Sequence, residues 1–327
     1  MEQQNSLLRA IMNRRTLHTY TNDYRNLTIL TFVEWMGLMS IGNYHRPTTV
    51  SQAIDCLRED PTLTILGGGT DFFPARVAPA PAVSVLDITG IDALRGITED
   101  AQGIRIGATT TWSDVKRANL PSAFDALKAA SVQVGGVQIQ NRGTVAGNIC
   151  NASPAADGIP PLLALDSRVV VAGPAGERTV ILQDFITGYR QTVLQPCEIV
   201  TGFTIPKPDP TAQSAFLKLG ARHYLVISIA MVAGILVPTS DGRIASVSLA
   251  IGACSAVAQR LSELEAALVG LPLDVDFSQI VTAAYFSDLQ PIDDARASAA
   301  YRREAARILV VRLLNALALK CRMDVAA

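Results

Sequence analysis

The sequence predicts an α+β protein whose 327 residues fall into three globular parts. Three observations lead there. Short β-branched runs alternate with stretches whose apolar residues recur at helical spacing. A proline cluster, Pro206-Lys207-Pro208-Asp209-Pro210, sets the last part off from the first two, because proline removes a backbone donor and resists regular structure. Two further stretches, rich in glycine and small polar residues, fit neither the helix nor the strand period.

Taken in order, residues 43–96 read as a small α/β unit. Tyr44-His45-Arg46-Pro47 begins the first strand, an amphipathic helix covers 50–58, the run Thr62-Leu63-Thr64-Ile65-Leu66 forms a strand into Gly67, and another strand covers 83–87. Residues 97–207 read as a larger α+β unit with strands at 104–107, 169–171 and 199–205 and a helix at 122–132. Residues 212–322 read as a sheet with helices, its strands at 216–219, 235–237 and 244–251. Its last helix runs from about Ala299, with Val310, Leu313, Leu314, Leu317 and Cys321 on one apolar stripe. The uncharged run 225–237 falls short of the roughly 20 residues that a bilayer span needs, and reads as a buried strand or helix.

The first aperiodic stretch is Gly67-Gly68-Gly69-Thr70-Asp71. Glycines let the chain turn sharply and bring backbone N–H groups against a bulky anion, since no Cβ intervenes. The spacing is not Gly-x-Gly-x-x-Gly, because position 72 is phenylalanine, and no Lys-Ser/Thr follows as in a triphosphate-binding loop. An ordinary tight turn accounts for this loop alone equally well. The second stretch, residues 143–157, reads Gly-Thr-Val-Ala-Gly-Asn-Ile-Cys-Asn-Ala-Ser-Pro-Ala-Ala-Asp. It gathers small hydroxyls, amides, backbone donors and one carboxylate, the make-up of a ligand-facing loop.

Together the two loops resemble the FAD-binding subunit of molybdenum-containing hydroxylases, the family that includes xanthine dehydrogenase and carbon monoxide dehydrogenase. The resemblance runs from Tyr44 to the C-terminus. It extends to Phe185-Ile186-Thr187-Gly188-Tyr189-Arg190 with Glu198-Ile199-Val200 behind it, and to Asp293-Asp294-Ala295-Arg296-Ala297-Ser298 leading into Tyr301-Arg302-Arg303. It implies a two-lobed FAD-binding domain of the p-cresol methylhydroxylase type, followed by an α+β C-terminal domain of the CO dehydrogenase flavoprotein type. It also implies that Leu66, Gly67, Gly68, Gly69, Thr70 and Asp71 cradle the FAD pyrophosphate, that Thr144, Gly147, Asn148 and Asn151 lie beside the cofactor, and that Asp157 accepts from a ribose hydroxyl. Val200 aligns with an apolar residue that touches the flavin ring, although core packing explains a valine there as well. Lys218 aligns with a lysine that approaches the flavin, where a cation favours the reduced anion; the plain alternative is a solvated lysine on a strand face. The chain departs from the pattern at Ala146, where the family has glycine, and at Asn151, where some members carry a hydroxyl.

The function so implied is electron transfer within a complex. A molybdenum-cofactor large subunit oxidises the substrate, a [2Fe-2S] small subunit relays electrons, and the FAD of this chain collects them for NAD or another acceptor, in an assembly typically built as a dimer of heterotrimers. No catalytic side chain is expected, and no triad-like or paired-carboxylate pattern stands out. Two other readings stay open: a free-standing flavin dehydrogenase or oxidase on the same fold, and a noncatalytic assembly subunit. Lys and Arg total 28 against 29 Asp and Glu, so no strong field draws nucleic acid or a membrane surface. A 49% hydrophobic composition suits Ala-rich helices or surface buried against other subunits.

The five cysteines are scattered without a Cys-x-x-Cys pair, which argues against an iron–sulfur or zinc site in this chain and fits a reducing, cytoplasmic setting. Cys150, inside the second loop, reads as packing. His18, His45 and His223 are too isolated for a metal site. Residues 1–42 precede the family-like portion. Arg14-Arg15 with the apolar run 27–33 matches a twin-arginine export signal weakly, because the polar stretch 18–26 separates the two and no small-residue cleavage site follows. An upstream start or a short packed helix accounts for the segment as simply.

Overall fold

The structure, a computed structural model, describes residues 41–76 and 82–325. The sequence reading of residues 1–40 therefore lies outside the described residues.

The first lobe is a three-stranded parallel sheet. Strands β1 (Ile41–His45), β2 (Thr64–Leu66) and β3 (Val83–Asp87) lie in the order β1-β3-β2, with helix α1 (Val50–Glu59) crossing from the first to the second. The Thr49 side chain caps α1 by accepting from the Gln52 N–H, and Ala53 and Leu57, four apart on one face, are buried. Because β2 and β3 are parallel, Gly67 and Ile88 both emerge at the carboxyl edge of the sheet, the usual place for a ligand crevice.

The second lobe is a five-stranded antiparallel sheet, β4-β5-β10-β6-β7, built from β4 (Ile97–Glu99), β5 (Gly103–Gly107), β6 (Arg168–Gly173), β7 (Gly176–Ile181) and, at its centre, β10 (Ile199–Pro206). Between β5 and β6 come α2 (Trp112–Arg117), α3 (Asp125–Ser131), α4 (Val137–Arg142), α5 (Val145–Cys150) and α6 (Ile159–Ala164). After β7 the short α7 (Leu182–Phe185) leads into a hairpin of β8 (Ile186–Gly188) and β9 (Gln191–Thr192). The single helix expected over 122–132 is instead a 3-10 turn, Ser122–Phe124, followed by α3. A second correction concerns 143–157, which contains the six-residue α5 and is not all loop. Thr144 starts that helix by accepting from the Gly147 N–H, and the stretch is too short to show a helical period.

The last domain is a four-stranded antiparallel sheet of β11 (Gln213–Leu219), β12 (Ala230–Pro238), β13 (Ile244–Gly252) and β14 (Gln259–Arg260), with α8 (Ser262–Leu268), α9 (Phe277–Ile280) and the long α10 (Ala299–Val325). The expected stripe Val310, Leu313, Leu314, Leu317 and Cys321 is fully buried. Gly234 of β12 makes room for it, since a Cβ there would come within 2.6 Å of Leu313. Of the run 225–237, only the part from Ala230 onward is strand.

The last two parts are joined by polar and backbone contacts as well as by packing. Ser214 of β11 accepts from the Ala126 N–H and donates to the Ser122 carbonyl, and the Ala253 N–H donates to the Pro154 carbonyl. A Cβ at Gly252 would lie 3.0 Å from Pro160, so α6 sits close on β13.

The motif that begins at Asp293 is a clamp inside this domain. Asp294 accepts from the backbone N–H groups of Arg296 and Ala297 and from the guanidinium of Arg302, which is 3% exposed and also donates to the Ile229 carbonyl. Those donors, the Arg296 N–H first, hold the Asp294 carboxyl at about 2. A carboxylate with a depressed pKa stabilises the fold fully above the unfolded value near 4, and that contribution is lost as pH falls from about 4 to about 2. Asp294→Asn should therefore melt lower than the parent at pH 7 and show a smaller further drop across that acid window, as thermal melts between pH 2 and pH 7 would record.

Candidate functional site

A cleft of about 490 Å³ opens between the first two lobes. The first lobe supplies residues 64–72 and Ile88; the second supplies Trp112, residues 143–151 and the start of β10. The two loops meet backbone against backbone. A Cβ on Gly68 would stand 1.9 Å from the Arg142 carbonyl oxygen and 2.8 Å from the Gly143 Cα, so only glycine fits. Gly69 turns through φ +73°, a left-handed conformation natural to glycine, and a Cβ there would press on Phe73. Thr70 Oγ1 lies against Gly143, and Thr144 Oγ1 against both Gly67 and Gly147.

The second loop is anchored from behind. The Trp112 N–H donates to the Gly143 carbonyl at 3.1 Å, and the Val145 N–H donates to the Thr110 carbonyl at 2.9 Å. Trp112 is buried, and it forces glycine at 158, where a Cβ would lie 2.3 Å from the indole. The Gly158 N–H donates to Asn148 Oδ1 at 3.2 Å, so the group that Asn148 can offer a ligand is its NH₂. The departure from glycine at Ala146 is accommodated within the fold: the residue is buried and packs into the main core, while also lining the cleft. Cys150 lines the cleft, but burial pushes its thiol up to about 12, so it stays protonated and acts as packing.

Glu198 sets the third wall. It takes a bidentate bond from Arg178, both contacts at 2.7 Å, and that guanidinium holds its carboxyl below the usual range. With Glu198 fixed, β10 starts so that Ile199 and Val200 face the cleft.

Of the residues that sequence reasoning singled out, Leu66, Gly67, Gly68, Gly69, Thr70, Asp71, Thr144, Gly147, Asn148, Asn151 and Val200 all line this one cleft. Asp157 and Lys218 do not. They pair with each other, Lys218 Nζ to Asp157 Oδ2 at 2.6 Å, with side chains 5% and 8% exposed, and Ser228 donates to the other carboxylate oxygen at 2.7 Å. Lys218 is thus not a solvated strand lysine; its ammonium is held by Asp157, and the residue lines a separate pocket with Gln133 and His223. Burial pushes the Asp157 carboxyl up, while Lys218 and Ser228 pull it back. The pair joins the end of the second loop to β11 of the last domain. Sequence reasoning missed Trp112 as the anchor of the second loop, and its only signal is that the chain has just two tryptophans. It also missed Phe72, Ile139 and Leu194 among the apolar walls, which nothing distinguishes from core residues in the sequence.

Among the described residues, no group of three His, Cys, Asp or Glu is placed to hold a metal ion, and no helix is long and apolar enough to cross a membrane. The geometry is that of a two-lobed nucleotide-cofactor cleft backed by an α+β domain.

Residues 39–208 match the family model of the FAD binding domain in molybdopterin dehydrogenase, and residues 215–317 match the CO dehydrogenase flavoprotein C-terminal domain. The chain belongs to this family, the FAD-binding subunits of molybdenum hydroxylase-type complexes. It is 30% identical over 272 residues to the nicotinate dehydrogenase FAD-subunit of Eubacterium barkeri, covering 80% of this chain and 91% of that one. It is 27% identical over 287 residues to the carbon monoxide dehydrogenase medium chain of Hydrogenophaga pseudoflava, covering 85% and 97%. A solved carbon monoxide dehydrogenase from Hydrogenophaga pseudoflava that lacks the Mo-pyranopterin moiety of its molybdenum cofactor superposes with a TM-score of 0.80 at 28% identity, over 86% of this chain and 99% of that one. The cofactor is FAD, and the protein is an oxidoreductase flavoprotein subunit. The residues present fit that cofactor: Gly67, Gly68, Gly69, Gly143 and Gly147 line the cleft without side chains, which leaves backbone open to close approach by a phosphate.

Proposed function

We propose that this chain is the electron-transfer subunit of its complex, taking electrons from a [2Fe-2S] small subunit that is served by a molybdenum-cofactor large subunit, and passing them to NAD or another acceptor in the cytoplasm. When bound, FAD supplies the ability to accept electrons singly and release them as a pair. The chain's own part is to bind and orient. Residues 66–71 hold the pyrophosphate against backbone, Thr144, Gly147, Asn148 and Asn151 border the cofactor from the second loop, and Val200 supplies an apolar wall. In this reading residues 43–207 are the FAD-binding domain, with lobes at 43–96 and 97–207, residues 212–322 are the C-terminal domain, and 1–42 form an extension.

One observation carries the choice of electron transfer over direct substrate oxidation. Among the described residues, the titratable side chains lining the cleft are Asp71, which is paired with Arg190, and Cys150, whose thiol stays neutral. A flavin enzyme that oxidises its own organic substrate commonly draws on a positioned acid or base for the substrate proton, and among the described residues this lining offers no group that is neither paired nor held neutral. In an anaerobic cuvette, FAD-loaded chain should keep its flavin absorbance when purines or aldehydes are added alone and should bleach only when the iron–sulfur and molybdenum subunits are also present. Bleaching by substrate and chain alone would favour a free-standing dehydrogenase.

A further inference from the structure

We propose that Arg190 is a positioning residue for the cofactor, a guanidinium latch that holds the two cleft loops at the separation FAD requires. The inference rests on the reading of the two glycine-rich loops as the FAD cleft. Arg190 Nη1 lies 3.0 Å from Asn151 Oδ1 and 3.5 Å from Asp71 Oδ2. Both acceptors line the cleft, one from each loop, although they stand far apart in sequence. A single side chain therefore ties the rim of the first lobe to the rim of the second.

The backbone beneath it supports a side-chain role. In the β8–β9 hairpin Gly188 pairs with Gln191, which makes Tyr189 and Arg190 a two-residue turn, and Arg190 is its second residue with φ +53°. That position favours glycine or asparagine, and an arginine held in a left-handed conformation points from an observed outlier towards a use for its side chain. The turn is itself pinned to the second loop, because the Arg190 N–H donates to the Ala152 carbonyl at 3.0 Å. Tyr189 stands beside the guanidinium, 5.8 Å from ring centre to Cζ, and is 62% exposed, so it braces the latch from the solvent side.

Electrostatics give the latch a second effect. No Lys, Arg or His is among the described residues lining the cleft, whereas Asp71 lines it with a carboxylate. Unpaired, that charge would repel the phosphates of FAD; Arg190 compensates it from just outside the lining. The contact is solvent-exposed, so its effect on affinity is modest and screened by salt.

The test is FAD titration of the full chain by flavin fluorescence quenching at low and high salt, with thermal melts beside it. The variants are Arg190→Gly, Arg190→Lys, Arg190→Gly with Asp71→Asn, and Gly68→Val. Arg190→Gly relieves the left-handed turn, so its melting temperature should hold or rise while its Kd for FAD increases about fivefold at low salt. Lysine should recover only part of that loss, because its ammonium is more strongly hydrated and rides on a more flexible stem than the single guanidinium nitrogen that meets both acceptors. Adding Asp71→Asn to Arg190→Gly should tighten binding again, and raising salt should weaken the parent more than Arg190→Gly. A Kd for Arg190→Gly within about twofold of the parent, with Gly68→Val unable to bind, would overturn the latch and leave the cleft reading intact. If Gly68→Val binds FAD as the parent does, the cleft reading falls and the latch falls with it.

Discussion

Gly68→Val is expected to yield a folded chain that neither retains nor takes up FAD. The reason is steric and local. A Cβ at 68 would meet the Arg142 carbonyl oxygen at 1.9 Å, the Arg142 carbonyl carbon at 2.6 Å and the Gly143 Cα at 2.8 Å. These are backbone atoms, which cannot rotate away as a side chain does, so the two loops must separate. The second loop is fixed from behind through Trp112 and Thr110, and the displacement therefore falls on 66–71 and on the cleft between the loops. Overpacking of this kind costs about 1–3 kcal/mol, which a domain of this size survives, while a cradle opened by more than an ångström loses its contacts to phosphate. The neighbouring glycines provide a graded series. Gly67→Ala meets only the Thr144 side chain, its Oγ1 at 3.3 Å and Cγ2 at 3.8 Å, and should bind nearly as well as the parent, and Gly69→Ala adds strain at φ +73° with Phe73 at 2.8 Å and should fall between. Flavin absorbance of the purified chains, FAD titration and far-ultraviolet circular dichroism together check the order. Equal flavin content across the series would remove the first loop from the cofactor site.

What could be read in advance follows the range of the physics involved. The helix Val50–Glu59, the strand Val83–Asp87 and the stripe on the last helix announce themselves through contacts a few residues apart, and the structure has them where the sequence expects them. The helix α6 was not legible, because Ile159-Pro160-Pro161 looks like a break, yet proline is well tolerated in a first helical turn, whose N–H groups have no partner within the helix. The helix α5 hides for a different reason: six residues with a glycine inside show no period, and only its Thr144 cap marks the start. In the site, the glycine loop was legible because lack of a Cβ is a property of the residue itself. The linkage of Arg190 to Asp71 and the pairing of Asp157 with Lys218 were not, since they join residues 119 and 61 positions apart and depend on how the domains pack. A carboxylate in a ligand-facing loop reads as a ligand acceptor, and nothing local in the sequence announces that a buried lysine from another domain also pairs with it.

That pairing gives the other large expected effect. Lys218→Met should lower the stability of the chain by about 3–5 kcal/mol near neutral pH, the usual result of removing one partner from a buried ion pair. What remains is the Asp157 carboxylate, 7% exposed, with only the Ser228 hydroxyl as a strong donor. Burial already pushes that carboxyl up and the ammonium pulls it back, so without Lys218 it rises further and holds a proton in the folded state. The sign follows from linkage. An acid whose folded pKa lies above its unfolded one favours the fold when protonated, so the variant loses stability as pH climbs from about 4 through the raised pKa, whereas the parent changes less. Denaturant melts from pH 4 to pH 8 would show a gap between parent and variant that widens upward; a constant gap would mean that lost packing, not a stranded charge, is responsible. Replacing both partners, Asp157→Asn with Lys218→Met, removes the charge altogether and should recover much of the loss. The double variant also separates two roles for Asp157. If it regains stability and binds FAD, the carboxylate works as an interdomain tie that seats Gly158 beneath Asn148. If it regains stability but no longer binds FAD, the direct contact with a ribose hydroxyl that the resemblance implies is the better account, and the ion pair must open when the cofactor enters.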